Sequence, residues 1–276
     1  MGRLKYTEEE LENIKYDYLV NWDGIRTLSK KYKHSDNSIK KILIENGVQL
    51  RTHQESCKTR YKINENFFDI HNQNHNMAYI MGLIAADGMI SSKDNMIKIE
   101  LKNIDRKLLE EVNKILQNER DVMDYSRKKN DKILTTSQLY FYSKKIKDDL
   151  SIYNIVPKKT YSSKFLFPDK LDQEFLISYI RGYFDGNGSI YRTTGHSSWQ
   201  IDTPSESVAK GIIDYFKKYN IILNFNIEEK TNINLYRCIT SKKENLKKIY
   251  EMFYNDISKD NFLFLERKKE KFKSLL

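Results

Sequence analysis

Two stretches, YIMGLIAADGMI (79–90) and YIRGYFDGNGSI (179–190), hold the residues most able to do chemistry. Each reads Tyr-Ile-x-Gly, then two apolar or aromatic residues, two small or acidic ones, an acid or amide, Gly, x and Ile; Gly82 and Gly182 stand one hundred positions apart. A helix of this form gathers its small residues on one face, and two such helices can bring their backbones into close approach. Packed side by side about a pseudo-two-fold axis, they would place their C-terminal residues together. Those residues are Asp87 and Asn187, a charged oxygen donor beside a neutral one. Asp185, two residues before Asn187, projects about 200° around the helix and cannot stand in for it.

The elements that must hold these helices repeat as well. After each motif comes a short strand, a turn (SSKDN or RTTGHSS), a second strand (MIKIEL or WQID) and a helix (DRKLLEEVNKIL or SVAKGIIDYFKKY). Two more strands follow, ending in LYFYSKK and YRCITSKK, and then another helix. Each half reads αββαββα, so the expected class is α+β, with boundaries at 77–160 and 161–276. A sheet with one face on helices leaves the other face open. That open face should carry Lys98, Glu100 and Lys102 in the first half, and Gln200, Arg237 and Tyr236 or its neighbours in the second.

The strings IMGLIAADG (80–88) and IRGYFDGNG (180–188) resemble the two LAGLIDADG motifs of a single-chain homing endonuclease. The stretch IVPKKTYSSKFLFP (155–168) is similar to that family's connection between repeats. The resemblance covers residues 77–276 and implies two pseudo-symmetric repeats forming a DNA-binding saddle. It implies a monomer that hydrolyses both strands of a long, asymmetric duplex target with Mg²⁺ or another divalent cation. Negative charge builds on a phosphodiester under in-line attack, and hard cations held by oxygen ligands neutralise it. By position Asp87 is the first acid. The expected metal ligands are Asp87, Asn187, Ala86 and Gly186, the carbonyl of Ala86 among them. Asn187 stands where the family has an acid, and an amide oxygen brings no charge, so weak cleavage, single-strand nicking or none is expected. An engineered change, a natural nickase and a binding-only descendant would each explain it. The resemblance also implies basic catalytic groups, which matching of the repeats assigns to Lys144 and Lys242. The family's pocket glutamine is absent near Leu101 and Lys102. Lys98, Lys102, Arg192, Gln200 and Arg237 are the expected DNA contacts of the repeats.

Residues 1–50 predict three helices. Thr7 caps the first, with Glu10 as its capping-box partner and Leu11, Ile14, Tyr18 and Leu19 at helical spacing. Trp22-Asp23-Gly24 breaks it, Ile25 to Tyr32 forms the second, and Ser35 opens a third that ends at Gly47. Two short helices across a tight turn match a resolvase-like helix-turn-helix, with a three-helix protein-interaction module as the alternative. In the DNA-binding reading Asp36, Asn37, Ser38 and Lys41 face base edges, while Lys30, Lys31 and Lys40 lie near phosphates. Residues 51–76, with Arg51, Lys58, Arg60 and Lys62, read as a basic connector, either a tether along DNA or a solvated linker.

Bulk properties agree with this organisation. Lys and Arg number 48 against 38 acids, a net charge of +10, which suits a polyanionic partner but equally fits a Lys-rich proteome. Cys57 and Cys238 show no metal-binding spacing, and with no apolar leader or spanning stretch the expected setting is the cytoplasm of a bacterial or phage-infected cell. Besides the endonuclease, a regulator that has lost catalysis and an RNA-binding intron maturase use the same fold and charge. The chain has no splicing-type ends of its own, so an intein is not expected.

Overall fold

The computed structural model describes residues 6–52, 61–193, 195–255, 257 and 262–276. The chain forms two compact units, residues 1–62 and 63–276.

In the first unit, α1 (Glu8–Leu19), α2 (Ile25–Tyr32) and α3 (Asp36–Glu45) enclose Ile14, Tyr18, Leu28, Ile39, Ile42, Leu43 and Val48. The Thr7 hydroxyl accepts from the Glu10 amide at 3.1 Å, and the Ser35 hydroxyl from the Ser38 amide at 3.1 Å, so both helix starts are capped as their residue types require. Lys33 turns the chain between α2 and α3 with φ 55°, a left-handed conformation. Leu19 departs from expectation and stays 55% exposed, because the chain turns away after α1.

Within the second unit the first repeat runs α4 (His75–Asp87), β1 (Gly88–Ile90), β2 (Met96–Lys102), α5 (Arg106–Ile115), β3 (Met123–Lys129), β4 (Lys132–Tyr142) and α6 (Lys144–Ile152). The other runs α7 (Leu176–Asn187), β5 (Gly188–Thr193), β6 (His196–Thr203), α8 (Glu206–Lys217), β7 (Asn224–Glu229), β8 (Asn234–Thr240) and α9 (Lys243–Tyr254), followed by α10 (Glu266–Lys273). Both sheets are antiparallel, in the orders β1-β2-β4-β3 and β5-β6-β8-β7. This is the two-repeat α+β architecture the spacing predicts.

Alternation along the strands decides which face packs. Ile97, Ile99 and Leu101 are buried between Lys98, Glu100 and Lys102, and Trp199 and Ile201 are buried beside Gln200 and Asp202. Arg237 shares the outward parity. Tyr236 does not: one residue away, it packs toward the core and stacks on Phe225 with ring centroids 5.9 Å apart.

The connector is shorter than the sequence suggests. Phe68 is fully buried, the Asn64 amide donates to the Leu116 carbonyl, and the Ser143 hydroxyl donates to Glu65. Residues 63–76 therefore belong to the first repeat, drawn in by Ile63, Phe67 and Phe68. Lys58, Arg60 and Cys57 lie outside the described residues. Among those residues, no helix is long and apolar enough to cross a membrane.

Candidate nucleic-acid interface and cation site

The two motif helices touch backbone to backbone. A Cβ added at Gly82 would lie 2.0 Å from the Tyr179 carbonyl oxygen, and one at Gly182 would lie 2.0 Å from the Tyr79 carbonyl oxygen. Only glycine allows this crossing, and the reciprocity of the two contacts is the pseudo-two-fold itself. One turn on, a Cβ at Gly186 would meet the Ala86 Cβ at 2.3 Å and the Asp87 carboxyl carbon at 3.4 Å. The ends of α4 and α7 thus converge, and Asp87, Ala86 and Gly186 share one junction. Asn187 is within reach of the Tyr183 hydroxyl, one turn back on its own helix, and that hydroxyl donates to Thr203 at 2.8 Å.

A cleft of about 610 Å³ opens at this junction, lined by Asp87, Met89, Lys98, Glu100, Lys102 and Lys268 among others. Asp87 keeps surface in contact with water, yet protein atoms crowd its carboxyl. That crowding raises its pKa above the usual carboxylate value, against the pull of Lys268, Lys159 and Arg267.

Two lysines approach from the segments that follow each repeat. The Lys159 ammonium donates to the Gly88 carbonyl, and the Lys268 ammonium donates to the carbonyls of Phe184, Asp185 and Gly188 at 2.5, 2.7 and 2.7 Å. They are counterparts, since each grips the carbonyl of its own motif's last glycine. Burial lowers the pKa of Lys159 to about 8, opposed by Asp87; it lowers that of Lys268 to about 8, opposed chiefly by Asp185. Both remain ammoniums at neutral pH and act on the Asp87 carboxylate, and Lys268 lines the cleft.

The second motif carries charges that the first lacks. Arg181, fully buried, donates to the carbonyls of Leu263 at 3.0 Å and Phe253 at 2.8 Å. Asp185, 2% exposed, accepts from the Tyr79 hydroxyl at 2.6 Å and the Leu265 amide at 2.8 Å. Its carboxyl is taken up by Tyr79 and Leu265, although the residue also borders the cleft. Together Arg181 and Asp185 clamp residues 263–265, the chain that leads to Lys268.

The structure separates Lys144 and Lys242 from this junction. Leu139 stands opposite Ile99, which stands opposite Gly88; Cys238 stands opposite Ile201, which stands opposite Gly188. Lys144 lies five residues past Leu139 and Lys242 four past Cys238, roughly 16 and 13 Å along extended chain. Both strands run away from the motif ends, toward the hairpin turns. The two lysines are one step out of register with each other, Lys144 opening α6 and Lys242 capping α9, and antiparallel direction carries both to the far end of the ladder. Lys159 and Lys268 were missed because they follow their motif glycines at unequal spacings, 71 and 80 residues.

Of the expected DNA contacts, Lys98, Lys102, Gln200 and Arg237 lie on the open sheet faces. Arg192 is exposed but shares the parity of Ile190, near the β5–β6 turn. In the N-terminal unit Asn37, Lys40 and Lys41 are exposed on α3 and Ser38 is partly so. Arg51 is occupied: its guanidinium donates to the carbonyls of Trp22 at 3.1 Å and Asp23 at 2.5 Å and stacks 3.9 Å from the Tyr18 ring centroid. Lys31 is likewise held, 2.6 Å from Asp17.

At the cleft Asp87 offers a carboxylate oxygen, the donor type a hard divalent cation takes, with Gly186 beside it, whereas Asn187 is not among the residues that line the cleft. Among the described residues no group of three or more His, Cys, Asp or Glu side chains gathers to hold a metal. Such a cation would keep most of its shell as water or phosphate oxygen, as Mg²⁺ does at phosphoryl sites.

The LAGLIDADG-like domain family matches residues 74–150 and 174–253, more than half of the chain. An uncharacterized protein of Methanocaldococcus jannaschii is 26% identical over 162 residues, covering 55% of this chain and 54% of that protein, so the chain spans about half the length of the curated relative it matches. Among solved structures, the N-terminal LAGLIDADG domain of WhiA is similar, with 18% identity, 74% of this chain and 91% of that one covered and a TM-score of 0.45. I-DmoI in complex with DNA and Ca is similar too, with 14% identity, 72% and 99% covered and a TM-score of 0.46. The paired motifs, the reciprocal glycine crossing and the family match agree: the chain belongs to the LAGLIDADG-like domain family and carries two copies of the domain.

Proposed function

We propose that the protein is a divalent-metal-dependent endonuclease of duplex DNA whose one complete acid, Asp87, makes it a strand-selective nickase. The observation that carries this reading is the junction itself. Asp87 and the end of α7 meet at one cleft, the ammoniums of Lys159 and Lys268 hold the carbonyls of the two motif glycines beside Asp87, and the sheets' open faces flank it. A divalent cation bound there would polarise the scissile phosphate and lower the pKa of a bound water. Asp87 would hold it, with the carbonyls of Ala86 and Gly186 as further oxygen ligands. Lys159 and Lys268 replace Lys144 and Lys242 as the cationic groups that offset charge on the phosphorane.

Asn187 offers the second half-site no charge, and losing such a preorganised group costs about 10²–10³ in rate. One strand is therefore cut and the other spared. The unit of residues 1–62 would extend the recognised sequence through Asn37, Ser38, Lys40 and Lys41 at the start of α3. Arg51, tied to Trp22 and Asp23, would brace that unit rather than contact DNA.

A regulator that has lost catalysis is the second reading, favoured by Asn187 itself. Incubation of the full chain with a selected duplex and Mg²⁺, and with EDTA as control, separates the two. A Mg²⁺-dependent nick that Asp87→Asn abolishes is expected. Tight duplex binding with no nick, even after Asn187→Asp, would establish the regulator.

A further inference from the structure

The open faces carry acids, which is unexpected on a surface meant for phosphates. Glu100 on β2 accepts from the Lys98 ammonium at 3.0 Å and from the side-chain amide of Gln138, directly across the ladder on β4, at 2.9 Å. Asp202 on β6 accepts from the Gln200 amide at 3.2 Å and from Arg237, directly across on β8, at 2.7 and 3.3 Å. Gly88 pairs with Ile99 and Gly188 with Ile201, so Glu100 and Asp202 stand at the same step from their motif glycines. Lys98 then matches Gln200, and Gln138 matches Arg237. The two triads share a central carboxylate, while the cation and the amide have exchanged places between the same-strand and cross-strand positions.

A carboxylate repels phosphate, so its use on a DNA-facing surface is against a base-edge donor. The major-groove edge of a G·C pair presents two adjacent acceptors, guanine N7 and O6, followed by the N4 donor of cytosine. A cation beside a carboxylate complements that order, the cation on guanine and the carboxylate on cytosine. Guanine alone offers two neighbouring acceptors to a single cation.

We infer that the Lys98–Glu100–Gln138 and Gln200–Asp202–Arg237 triads each read one G·C pair, at the same register step from their motif glycines. This rests on the reading above that duplex DNA lies across the open faces. The two half-sites are therefore alike at these two base pairs even where the target is otherwise asymmetric. Arg237 discriminates more strongly than Lys98, because Asp202 and Glu228 both hold its planar guanidinium in one orientation.

Selection of the full chain against a duplex pool with a randomised stretch, in EDTA, tests this. Enrichment of G·C at two positions equidistant from the centre of the recovered site is expected. Asp202→Asn should relax the preference at one of them, and Glu100→Gln at the other, each by roughly 10-fold or more. Both side chains are partly exposed and the substitutions keep their shape; an unchanged melting temperature confirms folding. Recovery of a defined site lacking these pairs, or a preference untouched by both variants, overturns the inference and leaves the endonuclease reading standing. Failure of the wild-type chain to enrich any duplex overturns both.

Discussion

The two motif helices share one backbone and divide the chemistry between them. In the first repeat the charged residue points outward: Asp87 lies at the cleft, while Met81 and Ala85 behind it are apolar and buried. In the other repeat the charges point inward: Asn187 is neutral, while Arg181 and Asp185 are buried and hold the chain that delivers Lys268. The glycine crossing fixes where both helices end, but it leaves the residues around each glycine free to differ. One repeat keeps the acid for the substrate, and its partner uses its charges for assembly.

The crossing should be the point of greatest sensitivity. A valine at Gly82 or Gly182 places carbon against a main-chain oxygen that has no room to retreat, and a loss of about 4 kcal/mol or more is expected in urea unfolding. Gly24→Ala, where an added Cβ meets nothing within 4 Å, is the neutral control. Equal tolerance at Gly82 and Gly24 would break the pseudo-two-fold account.

Next in size are the buried charges of the second motif. Arg181→Met and Asp185→Ala introduce the residue types of the first repeat, and each alone should cost about 3–5 kcal/mol by leaving the other charge buried without its opposite. The double variant should cost clearly less than the sum, since both charges leave together. Strictly additive losses would show that the two residues act independently.

The delivered lysines sharpen the comparison further. Lys268 bonds three carbonyls where Lys159 bonds one, so Lys268→Met should destabilise by about 2 kcal/mol more than Lys159→Met. Both variants should slow cleavage, because both ammoniums act on Asp87.

The smallest effect expected is in the pH profile. A lysine whose folded pKa is lowered to about 8 is cationic below that pH and neutral above it. Cleavage should therefore weaken severalfold as pH rises through about 8, and removing either lysine should flatten that limb. A rate that keeps climbing beyond pH 9 in the wild type would contradict the assignment.

Much of this was legible in the residues. The glycines of the motifs, the alternation of Ile97, Ile99 and Leu101, and the caps at Thr7 and Ser35 act through local geometry, and local geometry is written in spacing. The lysines were not legible, because their positions follow strand direction and loop length rather than periodicity. Lys144 and Lys242 looked equivalent in sequence but stand one register step apart in the fold, Lys144 opening α6 and Lys242 capping α9, and the ladder direction sends both away from Asp87. Arg51 read as a DNA contact from its charge, whereas the carbonyls of Trp22 and Asp23 claim it. Residues 63–76 read as part of a polar connector because their apolar anchors, Ile63, Phe67 and Phe68, are few among polar neighbours.

Strand-resolved cleavage of a selected duplex in Mg²⁺, comparing the wild type with Asn187→Asp, bears most directly on the single-acid cleft. The wild type should nick one strand only, and the restored acid should raise cutting of the other strand about 100-fold, toward a double-strand break. Equal cutting of both strands by the wild type, or a strand ratio that Asn187→Asp leaves unchanged, would contradict it.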